Sequence, residues 1–310
     1  MGTSRLKRFP MKRVALSAVF LAFAASFLGI PATAQAAPRL TIESGGVSRH
    51  ATVVLRDRLK LRRRPLIIVL NRGGSFGVRG RHSRGLEDAA ASSKPIFVYP
   101  DAVSGAWPVK PGPDADRDLK FLRDLVQHLV AQGQVDTRRI FIVGYHADGA
   151  FAYRAACAGV GQPLAGLATL ISAMPDDLAN CAPPAPLAYI SVSGQADPLI
   201  PYAGGPTTMQ DASFTALPAE TALGIFAKIG NCGAKREEKP IPEHDKREHT
   251  RAFIQAYAGC KTPVELIRVE GGGHRIPGRR PDLQDEALGG ENYDFDARRA
   301  VWEFLKGAGA

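Results

Sequence analysis

The stretch RIFIVGYHADGAFAYRAAC, residues 139–157, decides the fold of this 310-residue chain. An apolar run ends at a turn flanked by Gly144 and Gly149, and the chain then passes directly into a segment with helical character. A short apolar run of this kind is typical of a strand that is buried on both faces of a sheet. The sequence therefore predicts a buried strand that turns sharply into a helix.

The alternation of strand and helix recurs along the chain. Strand-like runs are ATVVL, PLIIVLN, KPIFVYPD, LAGLATLISAM, APLAYISVSGQAD and PVELIRVEGGGH, and helical patterns are DADRDLKFLRDLVQHLVAQG, ALPAETALGIFAKIG and DFDARRAVWEFLKG. This pattern favours an α/β domain whose mostly parallel sheet is covered by helices on both faces. The charged segment 233–250 breaks the periodicity, and we expect it to be an exposed loop.

Four polar residues follow predicted strands: Asn71, His146, Asp197 and His274. In an open parallel sheet, ligands bind at the carboxyl ends of the strands. We therefore expect these four residues at the functional end of the sheet.

The turn at residues 144–149, which follows the apolar run RIFIV, has the form of a nucleophile elbow. Such an elbow has the pattern G-x-S-x-G and presents a serine. Here His146 stands at the serine position and Asp148 at the position of the second glycine. Asp197 and His274 follow in the order acid, then base, in which such hydrolases place their catalytic residues. A nucleophile of this type needs a histidine that removes its proton and a carboxylate that orients the histidine.

The N-terminal segment MKRVALSAVFLAFAASFLGIPATAQAA has the charged, apolar and small-residue order of a secretory signal peptide. We expect residues 1–36 to be this signal and residues 37–310 to be one secreted domain, extracellular or periplasmic. The alternative is an uncleaved anchor, because the 17 apolar residues from Val14 to Ile30 are close to the shortest membrane span.

The net charge of the whole chain is +10, but five of its 40 basic residues precede Ala37. The remaining 35 basic and 30 acidic residues give the mature domain a net charge of +5. Basic runs such as RDRLKLRRR can indicate nucleic-acid binding. No aromatic residues interleave these charges, so a solvated basic face without a nucleic-acid partner is the favoured interpretation.

The chain has four cysteines, Cys157, Cys181, Cys232 and Cys260, and no C-x-x-C motif. In an exported chain, four cysteines indicate two disulfides. Three pairings are possible, and the shortest loops join Cys157 to Cys181 and Cys232 to Cys260.

Several motifs together resemble one family. RPLIIVLNRGG, RRIFIVGYHADGAFAYRAAC, SGQADPLIPYAGG and VEGGGHRIPG are similar to segments of the secreted feruloyl esterase and polyhydroxybutyrate depolymerase group of α/β-hydrolases, a likeness that extends from about Arg49 to Leu305. The resemblance implies an α/β-hydrolase fold, Asp197 as triad acid, His274 as triad base and Asp118 as a structural acid. It also implies a small-molecule or polymeric ester as ligand. No other segment is long and apolar enough to span a membrane, so we expect no membrane association after signal cleavage, and we expect no cofactor and a monomer.

The departures from the family pattern lie on the nucleophile side of the reaction. His146 replaces the serine, Asp148 replaces a glycine, and Ile276 replaces a tryptophan that follows the base. The oxyanion region comprises Asn71, Arg72, Gly73 and Ala147. At the first three of these positions the family has a His-Gly-Gly type segment. These changes predict that hydrolysis by the usual serine route is impaired and that the protein acts as a binding or inactive homologue.

Other interpretations of these residues stay open at this stage. His146 could fill the place of the serine, or act with His274 as nucleophile or general base. A metal could be held by His146, His274 and either Asp148 or Asp197. A relocated nucleophile would be Ser75 or Ser193, and Trp107 could either line a cleft or pack within a loop.

Overall fold

The computed structural model describes Gly2 and residues 39–55, 63–70, 81–209, 213–244, 249–278 and 286–308. Apart from Gly2, the predicted signal peptide lies outside these ranges, as do most of the basic run at 56–64, Ser75 and the oxyanion residues Asn71, Arg72 and Gly73.

Twelve strands are present in the described part of the chain. They are β1 (Arg39–Ser44), β2 (Val47–Val54), β3 (Arg64–Leu70), β4 (Ile96–Pro100), β5 (Val135–Tyr145), β6 (Gly166–Leu170), β7 (Ala188–Gly194), β8 (Gly205–Pro206), β9 (Thr215–Ala216), β10 (Lys239–Pro240), β11 (Arg251–Ala256) and β12 (Val264–Glu270). The α-helices in the same ranges are α1 (Arg81–Ala89), α2 (Pro113–Ala131), α3 (Asp148–Ala158), α4 (Ala219–Ile229) and α5 (Ala297–Ala308).

Ten of the strands form one sheet in the order β1-β2-β4-β3-β5-β6-β7-β12-β11-β10. The six central strands, from β4 to β12, are parallel, and antiparallel strands extend the sheet at both sides. Parallel strands in sequence order need crossover connections, which the helices supply. The predicted mostly parallel sheet is confirmed.

The sheet is covered by helices on both faces, as its strand sequences predict. Along β3, Leu66, Ile68 and Leu70 pack into the core that holds α2, α3 and α4, whereas Ile67 and Val69 pack into the core that holds α1 and α5. Successive strand residues point to opposite faces, so a strand buried on both sides must be apolar throughout. All seven residues of β3 are buried.

Two disulfides connect the ends of α3 and α4 to later parts of the chain. Cys157, near the end of α3, is bonded to Cys181, and Cys232, just after α4, is bonded to Cys260. These are the two shortest-loop pairings, with sequence separations of 24 and 28 residues.

Two details of the chain differ from the sequence-based expectation. The RAFIQA segment forms β11. The apolar pattern did not reveal this strand, because its buried residues do not alternate regularly with its half-buried and exposed residues. The described residues of the segment 233–250, which are 233–244 and 249–250, are mostly exposed, as expected, but Lys239–Pro240 pairs with β11 and adds a short edge strand. None of the helices in the described ranges combines the length and apolar character needed to span a membrane.

The first disulfide should contribute measurably to stability. Replacing Cys157 and Cys181 by Ala should lower the free energy of unfolding by about 3 kcal/mol, because the unfolded chain regains the freedom of a closed loop. Urea denaturation of the wild type and the double variant measures the loss. The Cys232→Ala/Cys260→Ala pair, with a loop of similar length, should lose a similar amount, and an unchanged unfolding free energy in either double variant would contradict this prediction.

Candidate catalytic site

His146 lies in the tight turn between β5 and α3. Its backbone has a φ of +51°, in the left-handed region. The His146 N–H donates to the Leu170 carbonyl at 3.0 Å, and the Gly149 N–H donates to the His146 carbonyl at 3.1 Å. A bulky residue with positive φ is a backbone outlier that persists only when its surroundings impose it. The turn thus has the strained form of an elbow, with a histidine at its apex.

The glycines that flank His146 allow the strand and the helix to approach closely. A Cβ at Gly144 would lie 2.5 Å from the Gly149 Cα, and a Cβ at Gly149 would lie 2.3 Å from the Ser172 Oγ. Asp148, by contrast, is accommodated as the first residue of α3, where a buried carboxylate meets the positive end of the helix dipole. The two essential glycine positions are therefore 144 and 149.

The acid and the base are brought together by neighbouring strands. Asp197 follows β7 and His274 follows β12, and these strands are paired in parallel. A Cβ at Gly194 would lie 2.3 Å from the Gly273 carbonyl oxygen, so the two connecting loops meet backbone to backbone. The His274 N–H donates to the Leu288 carbonyl at 2.7 Å, which fixes the base loop from its other side.

Three side chains form a continuous hydrogen-bonded relay. Asp197 Oδ2 lies 2.8 Å from His274 Nδ1, and His274 Nε2 lies 2.8 Å from His146 Nδ1. The Asp197 and His274 side chains are buried, while His146 is half-buried. The other carboxylate oxygen, Asp197 Oδ1, accepts the N–H groups of Leu199 at 2.8 Å and Ile200 at 2.9 Å. The sequence-predicted acid, base and nucleophile position are therefore in direct contact.

The direction of these hydrogen bonds follows from the chemistry of the groups. An ionised carboxylate only accepts, so His274 Nδ1 donates to Asp197. A neutral His274 then carries its lone pair on Nε2 and accepts from His146 Nδ1. For an ionised Asp197 and a neutral His274, this arrangement puts the proton of His146 on Nδ1.

Of the predicted oxyanion residues, only Ala147 is within the described part of the chain. It caps α3, where the helix leaves its first N–H groups without intrahelical partners. Such amides are suited to a developing negative charge. The roles of Asn71, Arg72 and Gly73 remain predictions.

The metal alternative is not supported by the geometry. The described residues contain no group of three or more His, Cys, Asp or Glu side chains arranged to hold a metal ion. His274 uses both ring nitrogens in hydrogen bonds, to Asp197 and to His146. A metal held by His146, His274 and Asp148 or Asp197 therefore stays an untested hypothesis without support from the described residues.

The relocated-nucleophile alternative also fails for Ser193. Its hydroxyl is buried on β7 and is hydrogen-bonded to Ser191, which in turn accepts from Thr169 at 3.0 Å. The chain of hydroxyls continues to Tyr153 and Tyr189, and burial raises the pKa of both phenols, which keeps them protonated.

The buried hydroxyl chain was missed in the sequence, although the alternating serines of ISVSG on β7 point to one face and are its visible signal. Ser193 and Asp197 both line a cavity of about 10 Å³, the size of one water molecule. The chain of hydroxyls therefore ends at a cavity that Asp197 also lines.

Trp107 packs in the core and does not line a cleft. Its ring is 3 % exposed and stacks on Phe151 with a centroid distance of 5.0 Å. Ile276, at the position of the family tryptophan, is also buried. Of the two predicted interpretations of Trp107, the packed loop residue is the one observed.

The close approach at Gly149 gives a stability prediction. Gly149→Ala should destabilise the fold by about 1–3 kcal/mol, because the new methyl group collides with Ser172. Gly224→Ala on α4 is the matched control, since its Cβ would meet only the Tyr257 hydroxyl at 3.9 Å, and it should stabilise by up to about 1 kcal/mol.

Thermal and urea unfolding measure both glycine variants. Adding Ser172→Gly to Gly149→Ala should recover much of the loss. Equal stability effects of the Gly149 and Gly224 substitutions would show that the elbow is not tightly packed.

Comparisons with known proteins agree with this architecture. No family model matches the chain. The “Putative esterase NocK” of Nocardia uniformis subsp. tsuyamanensis is 29% identical over 263 residues, which cover 79% of this chain and 74% of that protein. Feruloyl esterase B of Piromyces equi is 26% identical over 196 residues, and the match spans 60% of this chain and about a third (35%) of that protein.

A solved structure shows the fold independently of close sequence likeness. A structure from a study of two esterases of the fungus Rhizomucor miehei superposes with a TM-score of 0.51 over 88% of this chain and 83% of that chain, at 13% identity. The likeness to polyhydroxybutyrate depolymerases remains a prediction. In sequence this chain is similar to feruloyl esterases, and in fold it is an α/β-hydrolase, as its motifs predicted.

Proposed function

We propose that this protein is a carboxylic-ester-binding homologue of ester hydrolases in which His146 has replaced the nucleophilic serine and serine-type hydrolysis is impaired. One observation carries the proposal: the residue at the strained elbow, with φ +51° and a 2.8 Å hydrogen bond to His274, is an imidazole rather than a hydroxyl. Everything that positions a nucleophile is present, but the group that forms a stable acyl ester is not.

The expected loss of catalysis is large. Removing the serine or histidine of a catalytic triad lowers turnover on the order of a millionfold, and only binding and oxyanion stabilisation remain. His146 adds a bulky ring where a serine would leave room for the ester carbonyl. Ester binding without efficient turnover follows from this arrangement.

The ligand class is proposed from the relatives. Two curated relatives carry esterase names, and one of them is a feruloyl esterase. We propose a small-molecule or polymeric carboxylic ester as ligand and a role outside the cytoplasm. The N-terminal signal-like segment and the two disulfides support export.

A second candidate is slow ester hydrolysis through His146. The observation that favours it is the relay Asp197–His274–His146, in which His274 is hydrogen-bonded both to the Asp197 carboxylate and to the His146 ring. Histidine is among the side chains that form covalent intermediates in enzymes. Hydrolysis of this kind would be weak and would depend on His146.

Restoring the serine tests the proposal. His146→Ser should raise the hydrolysis of p-nitrophenyl acetate and methyl ferulate by about 10²–10⁴-fold over His146→Ala, because His274 then meets a hydroxyl that it can deprotonate. His146→Ser/Asp148→Gly should be at least as active. The control is His146→Ser/His274→Gln, which should be as inactive as His146→Ala.

Two results would contradict the proposal. The first is substantial turnover of methyl ferulate by the unmodified protein, with or without a chelator. The second is a folded His146→Ser variant that is no more active than His146→Ala. Isothermal titration of methyl ferulate into the unmodified protein measures the retained binding.

A further inference from the structure

We infer that Ser172 and Ser193 bind one water molecule beneath the elbow and that this water donates a hydrogen bond to the carboxylate of Asp197. Both serines are then positioning residues for the acid of the relay, and they act on His274 through Asp197. This water site supports the acid whether or not an ester is turned over, so it stands apart from the proposed function.

A water-sized cavity lies near the carboxyl ends of β6 and β7. Its volume is about 10 Å³, and Ser172, Ser193 and Asp197 all line it. All three residues are buried. A cavity of this size holds a water where two to four polar groups surround it, whereas an apolar cavity stays dry. The three polar side chains make this cavity a site for water.

The hydroxyl of Ser172 needs a partner that the described side chains and backbone do not supply. Its Oγ is buried and makes no hydrogen bond within the described ranges. It lies directly beneath the elbow, since a Cβ at Gly149 would be 2.3 Å from it. Buried polar groups in folded proteins are generally satisfied by protein groups or by ordered water. A water in the cavity satisfies Ser172.

The backbone next to Ser172 is strained. Ile171 has a φ of +51°, and its N–H donates to the Val192 carbonyl at 2.8 Å. A β-branched residue in the left-handed region is an outlier that persists only where the surrounding structure imposes it. This turn at the end of β6 places both Ile171 and Ser172 at the cavity.

The buried hydroxyl chain directs its protons toward the same cavity. Thr169 donates to Ser191 at 3.0 Å, so the single proton of the Thr169 hydroxyl is used. Tyr153 therefore donates to Thr169 at 3.0 Å, and Tyr189 donates to Tyr153 at 2.7 Å. Ser191 can donate its own proton to Ser193 at 3.4 Å, which leaves the Ser193 proton for an acceptor in the cavity.

The carboxylate of Asp197 has one acceptor site for the water. An ionised carboxylate offers about four lone-pair sites. Three of them accept the N–H groups of Leu199 and Ile200 and the Nδ1 proton of His274. A water that accepts from the two serines keeps both of its protons, and one of them meets the fourth site. The water then makes three hydrogen bonds, the usual number for a buried water.

The water extends the relay on the side of Asp197 that faces away from His146. Hydrogen bonds in a chain polarise one another, so the hydroxyls behind Ser193 strengthen its donation. The water stabilises the ionised carboxylate and fixes its orientation. A fixed carboxylate holds the proton of His274 on Nδ1 and its Nε2 toward His146.

A high-resolution crystal structure of the protein tests the water directly. It should show one ordered water within hydrogen-bond distance of Ser172 Oγ, Ser193 Oγ and an oxygen of Asp197. A cavity without ordered water, or a water that does not contact Asp197, would overturn the inference.

Nitrogen-15 NMR of His274 tests whether the two serines act on the acid. In Ser172→Ala and in Ser193→Ala the Nδ1 resonance of His274 should shift. Its attached proton should exchange with solvent about tenfold faster, because a hydrogen bond to a charged group contributes roughly that factor. Ser193→Thr keeps the hydroxyl and should restore the wild-type resonance and exchange rate.

Ser44→Ala is the matched control. Ser44 is a buried serine on β1 whose hydroxyl donates to Asp124 at 2.6 Å. Its loss should lower the melting temperature without moving the His274 resonance. If Ser172→Ala and Ser193→Ala also leave that resonance in place, both serines are merely structural and the inference is overturned.

Circular dichroism and thermal unfolding establish that each variant is folded. Should Ser172→Ala fail to fold, the comparison of Ser193→Ala with Ser193→Thr carries the test alone. None of these measurements involves an ester, so their outcome is independent of the proposed function.

Discussion

The hydrogen bond between His146 Nδ1 and His274 Nε2 is the constraint on which the chemistry of this protein depends. It places an imidazole at the strained turn between β5 and α3, and it ties that imidazole to the buried side chains of His274 and Asp197. A serine Oγ both attacks and loses its proton at one atom. Here the contact that a serine hydroxyl would make with the base is made by the Nδ1 of an imidazole, and the consequences for catalysis follow from this difference.

The scaffold around the relay is that of an intact elbow. The positive φ of His146 and the close packing of Gly144 and Gly149 are features that a strained strand-to-helix turn requires. The carboxylate of Asp197 is still fixed by two backbone amides, and the loops of the acid and the base still meet at Gly194. The supports of a strand-to-helix elbow are therefore all present around His146.

Much of this could be read from the sequence. Apolar runs such as PLIIVLN predicted the buried strands, and the order of position 146, Asp197 and His274 predicted their meeting at one end of the sheet. The contact atoms could not be predicted, because ring orientation depends on tertiary packing. The strand Arg251–Ala256 and the buried hydroxyl chain were missed for the same reason: single polar residues in a strand do not reveal which side chains they face.

The tautomeric state of His146 tests the central claim most directly. Nitrogen-15 NMR of histidine-labelled protein at neutral pH, assigned with His146→Ala and His274→Gln, distinguishes protonated from unprotonated ring nitrogens. The relay predicts that His274 and His146 both carry their proton on Nδ1 and that both Nε2 atoms are unprotonated. A His146 ring that is protonated on Nε2, with Nδ1 unprotonated, would contradict the relay and the chemistry derived from it.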